Sequence, residues 1–348
     1  MNLDISLWLL QDGVINGAIY ALLALALLLV FAVTRIIFVP QGEFVAFAGL
    51  TLGMLQLGQV PGTVYLLGAG GVAVALLEAA MAWRARERGR LPRIALAWVV
   101  LPLAVSLFVA WAAPRKFGSW ALIAMTLLLI VPLGPILYRL AYRPVANASV
   151  LVLFIVSMAV HYALNGIGLA MFGGEGLRTN PISDLQIALG SINVTAQSVW
   201  VVAASAAGMV SLWLFFERSL YGKALRATAI NRVGARLVGV PTELAGQLAF
   251  WLAATMGAVS GLLISPITTL YFDSGLMIGL RGFIAAIIGG MSSYPLAVAG
   301  ALGVGLLEAF SSFWASAYKE TIVFTLLIPI LLWLSLTSKH VVTEDEEE

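Results

Sequence analysis

Long apolar runs separated by short polar breaks set the pattern of this chain. Runs near 14–33, 36–57, 62–83, 94–113, 118–137, 149–171, 198–216, 243–264, 275–291, 294–313 and 321–336 approach or reach the roughly 20 residues a helix needs to cross a bilayer. The pattern predicts an all-α polytopic membrane protein, a helical bundle of about 10–11 hydrophobic segments, one or two of them re-entrant candidates. The run 36–57 is interrupted by Pro40, Gln41, Gly42 and Glu43, which fits either a broken or re-entrant helix or a turn at the membrane face. The run 275–291 is short and glycine-rich and is the second such candidate. Irregular backbone at membrane depth survives only where protein or water covers it, so both segments are candidates for lining a pathway. The first run starts near Val14, after Asp4 and Asp12 and with no positive stretch before it. It therefore reads as a retained helix rather than a cleavable signal. Glycine pairs four apart at Gly13/Gly17, Gly49/Gly53, Gly257/Gly261 and Gly275/Gly279 predict close helix packing.

One stretch breaks the apolar pattern more strongly than the others. Residues 217–241 hold Arg218, Lys223, Arg226, Arg232 and Arg236 against the single acid Glu217, and such charges are costly against lipid. Leu225, Ala229, Val233 and Leu237 form an i, i+4 row, but Arg226 falls within it and Gly234 weakens a continuous helix. Two short helices bent near Asn231–Gly234 fit better. By charge alone the segment reads either as a basic loop held to anionic lipid or as a docking surface for a soluble partner.

Composition agrees with the pattern: of 348 residues, 61% are hydrophobic and 10% charged, against about 25% charged in soluble domains. No cysteine is present, which removes disulfides and thiolate metal sites. Five of the 17 acids crowd into residues 344–348, leaving 19 basic against 12 acidic residues before them. The tail 339–348 reads as a solvated acidic end. If all eleven segments cross, 14 basic residues share the side of the 217–241 segment and 5 lie opposite. That bias places the segment and the tail in the cytoplasm and the N-terminus outside. The stretch 172–197 is then the largest external connection.

Little in the chain points to catalysis. No Gly-x-x-x-x-Gly-Lys-Ser/Thr phosphate loop occurs. The two histidines, His161 and His340, are too few for a metal site. His161 sits in an apolar run, where it either faces a polar pathway or hydrogen-bonds a neighbouring helix. Ser260 in Gly-Ala-Val-Ser-Gly lacks a base and the strand-turn-helix context of a nucleophile. No catalytic residue, metal, cofactor or nucleic-acid partner is therefore expected. The intramembrane ionisable residues Glu43, Glu78, Asp273, Arg281 and Glu308 are the default functional candidates. Glu78 is placed to pair with the Arg84–Arg93 cluster, and Asp273 and Arg281 to pair with each other or line an outer vestibule. Glu43 stands out because its neighbours break the helix around it.

Four motifs in order resemble the permease subunits of branched-chain amino-acid ABC importers. They are Asn16-Gly17-x2-Tyr20-Ala21-Leu22; Ala141-Tyr142-Arg143-Pro144; Tyr221-Gly222-x3-Arg226-Ala227-x3-Asn231-x3-Ala235-x3-Gly239-Val240; and Phe283-x-Ala285-Ala286-x2-Gly289-Gly290-x2-Ser293-x-Pro295-x-Ala297-x2-Gly300. The resemblance runs from residue 16 to about 336. It implies a multi-pass subunit of the bacterial inner (plasma) membrane that moves branched-chain or other neutral amino acids inward. The implied partners are two cytoplasmic ATPase subunits, a second related permease subunit, an extracytoplasmic solute-binding protein and the lipid bilayer. By the same resemblance Gly222, Arg226, Ala227, Asn231 and Gly239 belong to the ATPase-coupling loop. Asn16, Tyr20, Gln41, Gly42 and Glu43 are the expected translocation-pathway positions. Residues 1–338 form the permease domain, with an extra helical pair within about 62–137, and 339–348 the cytoplasmic tail. The family's Phe-Ala-His-Gly-Glu stretch is here Val39-Pro40-Gln41-Gly42-Glu43, which keeps only Gly-Glu. An ion-coupled secondary transporter, or an ABC permease for urea, amides or sugars, is the alternative.

Overall fold

The computed structural model describes residues 3–115, 117–183, 185–189, 192–291 and 293–337. The acidic tail at 339–348, with Lys339 and His340, and the residues Lys116 and Asp184 lie outside the described residues. Every apolar run becomes helix. In chain order the helices are α1 (Leu3–Thr34), α2 (Gln41–Gln56), α3 (Thr63–Arg84), α4 (Leu91–Ala95), α5 (Leu101–Ala112), α6 (Ser119–Ile130), α7 (Leu133–Leu137) and α8 (Val150–Phe172). They continue with α9 (Ala196–Arg218), α10 (Leu220–Ile230), α11 (Arg232–Leu237), α12 (Thr242–Ile264), α13 (Ser274–Ile288), α14 (Tyr294–Trp314), α15 (Lys319–Thr325) and α16 (Leu327–Thr337). A π-helical turn at Leu96–Val100 joins α4 to α5, and another at Tyr138–Tyr142 extends α7. Among the described residues nine helical stretches are long and apolar enough to cross a membrane. With the shorter α2 and α13, they account for the eleven segments read from the pattern.

α1 is the axis of the bundle: 89% of its most apolar window is buried, against 6% for the last span. Glycines let α14 lie directly against it. A Cβ at Gly13 would sit 2.7–2.8 Å from Leu306, and one at Gly17 would sit 2.8 Å from Leu302. All four glycine pairs of the sequence lie at close contacts, as the small-residue rule anticipates. Within the stretch 62–137, α3 and α4–α5 form a helical pair, turning through a 3-10 segment at Arg88–Arg90. Ser106 Oγ donates to the Val64 carbonyl at 2.9 Å and pins this pair. Its outer face is apolar, with Leu76, Leu103, Leu107 and Trp111 exposed, as a lipid-facing surface requires.

The Arg84–Arg93 cluster, Arg35 and the α10–α11 segment share one end of the bundle, the basic end. There Glu78 pairs with Arg139 and Arg143 rather than with the Arg84–Arg93 cluster, and Arg143 reaches Glu243 at 2.9 Å. A carboxylate nearly two turns from the end of α3 meets arginines on a packed neighbour more readily than those beyond its own helix stop at Ala85. At the far end an antiparallel hairpin, β1 (Gln186–Leu189) and β2 (Ile192–Thr195), pairs Gln186 with Thr195. It forms part of the expected 172–197 connection. Leu177 bridges Leu270 nearby.

Candidate functional site

Among the described residues two polar clusters interrupt the apolar interior, and a basic segment after α9 leaves it. The first is the α2–α13 junction. α1 ends at Thr34, whose Oγ1 bonds back to the Val30 carbonyl at 2.6 Å. Arg35 then takes a left-handed conformation (φ 62°), which costs about 1 kcal/mol and reverses the chain. Residues 35–40 run back into the bundle, and α2 starts only at Gln41, after Pro40. Gln41 Nε2 donates to the Ala253 carbonyl at 2.9 Å. Ala253 lies eleven residues into the 23-residue α12, roughly 17 Å along it and half its length. α2 is thus a half-helix that begins at mid-depth, almost wholly buried. The broken-helix reading of 36–57 is the one the structure adopts.

α13 is the complementary half. Its N-terminus meets that of α2, and only glycines allow the approach. A Cβ on Gly42 would run into the Gly275 carbonyl and come within 3.0 Å of the Gly279 nitrogen. Two helix N-termini, each with a partial positive charge and unsatisfied N–H groups, therefore converge near one point. Glu43, in the first turn of α2, places its carboxylate there. Its Oε1 lies 2.9 Å from His161 Nδ1 on α8, and both side chains are buried. Glu43 Oε2 and Gln41 Oε1 are buried without a hydrogen-bond partner among the described residues. The cluster offers acceptors in a dry setting and no nucleophile. Ser260 Oγ is spent on the Met256 carbonyl at 2.8 Å. Among the described residues no group of three metal-binding side chains occurs.

The second cluster ties α13 to α1, α14 and α15. Tyr20 donates to Glu308 Oε2 at 2.5 Å, and Arg281 contacts Glu308 at 3.0 Å and Glu320 at 2.6 Å. The Arg281 guanidinium lies 5.9 Å from the Tyr20 ring centroid. Arg281 does not pair with Asp273, since about two turns of α13 separate them and place Arg281 beside the acids of α14 and α15. Glu308 also borders an open cavity of about 1060 Å³ at the far end, whose walls include Asp12, Asn16, Arg178 and Gln197. The five pathway candidates are therefore divided. Gln41, Gly42 and Glu43 form the junction, Tyr20 sits in the buried ionic cluster, and Asn16 lines the far-end cavity.

The third feature is the segment after α9. It forms the two short helices expected, with the break at Asn231 (φ −147°, ψ 102°). Ser219 caps α10 by accepting from Gly222 N at 2.8 Å, and Asn231 caps α11 by accepting from Gly234 N at 2.8 Å. Gly222 is buried against α9, where a Cβ would strike the Phe215 carbonyl, and Gly239 turns left-handed (φ 86°). Three of the five coupling candidates thus set the shape of the segment. Ala227 is half-buried, and Arg226 is exposed, 3.4 Å from Glu217. The sequence reading emphasised charge and missed the apolar surface here: Leu220, Tyr221, Ile230, Val233, Leu237 and Val238 are all exposed. The row Leu225, Ala229, Val233, Leu237 was the available signal. The break at Asn231 splits it, burying Leu225 and exposing Val233 and Leu237. The pairing of Glu43 with His161, 118 residues apart, had no sequence signal beyond a histidine four residues after Ser157 in an apolar helix.

Comparison with known proteins adds an independent finding. A family profile described as branched-chain amino acid transport system / permease component matches residues 99–332. The high-affinity branched-chain amino acid transport system permease protein LivH of Salmonella typhimurium is 31% identical over 229 residues, 62% of this chain and 73% of that protein. LivH of Escherichia coli is 33% identical over 205 residues, 56% of this chain and 65% of that protein. The permease protein BraD of Pseudomonas aeruginosa is 26% identical over 223 residues, covering 61% and 72%. No solved structure matches the chain at a significant level.

Proposed function

Because the chain belongs to the family of branched-chain amino acid transport permease components, we propose that it is the membrane-spanning subunit of an ATP-driven importer for branched-chain or other neutral amino acids. It works in a bacterial inner membrane with the basic end in the cytoplasm. Two separate ATPase subunits hydrolyse the nucleotide, a second related permease completes the membrane part, and an external binding protein delivers the solute. Residues 1–338 act as one permease unit, and 339–348 as a cytoplasmic tail.

One observation carries the reading: the basic helix pair α10–α11 exposes Leu220, Tyr221, Ile230, Val233, Leu237 and Val238 together. A segment that leaves the membrane and still shows such a patch is an interface. Arg226 and Ala227 border the ATPase contact, while Gly222, Asn231 and Gly239 hold its shape. Gln41, Gly42 and Glu43 form a mid-depth polar point on the solute's route.

The test is a Leu237→Glu, Val238→Glu double variant of the co-expressed importer. Charges in a desolvated hot spot cost 2 kcal/mol or more, so ATPase-subunit retention should fall by about 30-fold or more. ATP-dependent uptake should fall with it, and permease yield should hold. Full retention and full uptake would refute the assignment. Full retention of the ATPase subunits, with uptake that falls when anionic lipid is left out of the proteoliposomes, would favour the lipid-bound reading of this segment.

A further inference from the structure

α8 lies at the periphery of the bundle. It buries only Leu153, Ser157, His161, Leu164 and Gly168, all on one face. Two hydrogen bonds dock that face, Tyr142 with Ser157 at 3.1 Å and His161 with Glu43 at 2.9 Å. A stripe flanking that face, about 120° round the helix from its centre, carries Leu151, Ile155, Tyr162, Asn165 and Leu169. Tyr162 is 67% exposed and Asn165 is half-exposed. They lie twelve and fifteen residues into α8, roughly 18–22 Å along it, level with the Glu43–His161 pair. Among the described residues neither side chain makes a hydrogen bond, and Tyr162 has only a ring contact with His161 at 5.1 Å.

Lipid tails cannot satisfy a phenol and a carboxamide at that depth, so water, solute or protein must cover them. The outer faces of α3 and α5 show the contrasting composition, with Leu76, Leu103 and Leu107 exposed. Serine and threonine on exposed faces escape the problem by bonding their own helix, as Thr255 does to the Trp251 carbonyl at 2.8 Å. Tyrosine and asparagine at these positions cannot.

We propose that the Leu151–Leu169 stripe of α8 lines the translocation pathway where it faces the second permease subunit. Tyr162 and Asn165 are the mid-depth polar contacts for a small zwitterionic solute, and Leu151, Ile155 and Leu169 are the apolar wall for its side chain. This rests on the importer reading. A mechanical link supports it: Arg232 of α11 donates to the Ala146 carbonyl at 3.2 Å, three residues before Ser149, the N-cap of α8. The coupling segment therefore grips the foot of the proposed pathway helix.

The absence of cysteine makes the test direct. Tyr162→Cys, Asn165→Cys and Ile155→Cys are placed singly in the complete importer in proteoliposomes, with Leu107→Cys as the lipid-facing control. A charged methanethiosulfonate reagent reacts with a hydrated thiolate, whereas a thiol held in lipid stays protonated. The stripe positions should label about tenfold faster than the control. Their rates should also change between the nucleotide-free and vanadate-trapped states. Labelling as slow as Leu107→Cys at all three positions in both states would overturn the proposal. Ile155→Cys removes no polar group, so it reads the same surface if the other two variants fail to assemble. ATP-dependent uptake by the unmodified protein tests the importer reading separately. Uptake with a silent stripe sinks only the proposal. A reactive stripe with uptake driven by an ion gradient sinks only the importer reading.

Discussion

Gly42→Ala should be among the most damaging single-methyl additions in the chain. The added Cβ would meet the Gly275 carbonyl and lie 3.0 Å from the Gly279 nitrogen. Both obstacles are backbone, so no side chain can rotate away, and α2 and α13 would have to separate at the junction. Overpacking of this kind costs about 1–3 kcal/mol, and rigid backbone on the other side argues for the upper part of that range. Alanine's helix preference over glycine returns up to about 1 kcal/mol. A net loss of about 1–2 kcal/mol remains, a five- to thirtyfold shift in the folding equilibrium. Gly303→Ala on α14 is the matched control, since a Cβ there meets nothing within 4 Å. It should be neutral or stabilising by up to about 1 kcal/mol. Denaturation of the purified complex in mixed micelles, with solute uptake measured in parallel, reads both. Equal stability of the two variants with unchanged uptake would show that the half-helices do not meet as described.

Two further perturbations separate shape from contact. Asn231→Ala removes the α11 cap and should cost about 1 kcal/mol, seen as faster exchange of the Gly234 amide, while Asn231→Asp should keep the protection; no change with alanine would discount the cap. A double-mutant cycle on Glu43→Leu and His161→Phe should give a coupling of about 0.5–1.5 kcal/mol, as for a buried hydrogen bond; additive effects would mean the pair does not hold α8.

The sequence made the helices legible because a bilayer demands one long apolar run per crossing, and the runs are there. It could not rank them by burial. α1 and the Leu91–Ala112 span have nearly equal mean hydropathy, 2.5 and 2.3, yet 89% of one window is buried and 17% of the other, because inside a membrane the interior is no more apolar than the surroundings. Only the exceptions to apolarity carry positional information. Pro40-Gln41-Gly42-Glu43 announced the break in the second segment, and the glycine pairs announced close contacts, since both act through local backbone geometry. Partners were hidden for the same reason. Nothing near Glu78 in the chain points to Arg139, and nothing near Arg281 points to Glu320. The coupling pattern was visible, but three of its residues matched because they cap, pack or turn, so the motif described a shape. The surface that shape displays is apolar and became visible only once Asn231 broke the helix.

On the proposed reading of α10–α11 as the coupling segment, the same contacts give it a way to act on the junction. Arg232 holds the Ala146 carbonyl at the foot of α8, and Arg236 Nε donates to Thr242 Oγ1 at 2.9 Å, at the foot of α12. α8 carries His161, which holds Glu43, and α12 carries the Ala253 carbonyl, which holds Gln41. Two helices that start under the segment thus each end a polar contact at the same half-helix. Packed helices move as stiff bodies, so a displacement of one foot relative to the other is felt at α2 as a choice between its two partners. Glu43 Oε2 and Gln41 Oε1 are already without hydrogen bonds among the described residues, so new donors there would be gained without old ones being lost. If the junction lies on the solute's route as proposed, a solute ammonium arriving there would supply such donors. By linkage, it would then favour the arrangement in which α8 and α12 have shifted, and bound ATPase subunits and bound solute would each bias the same two-state element.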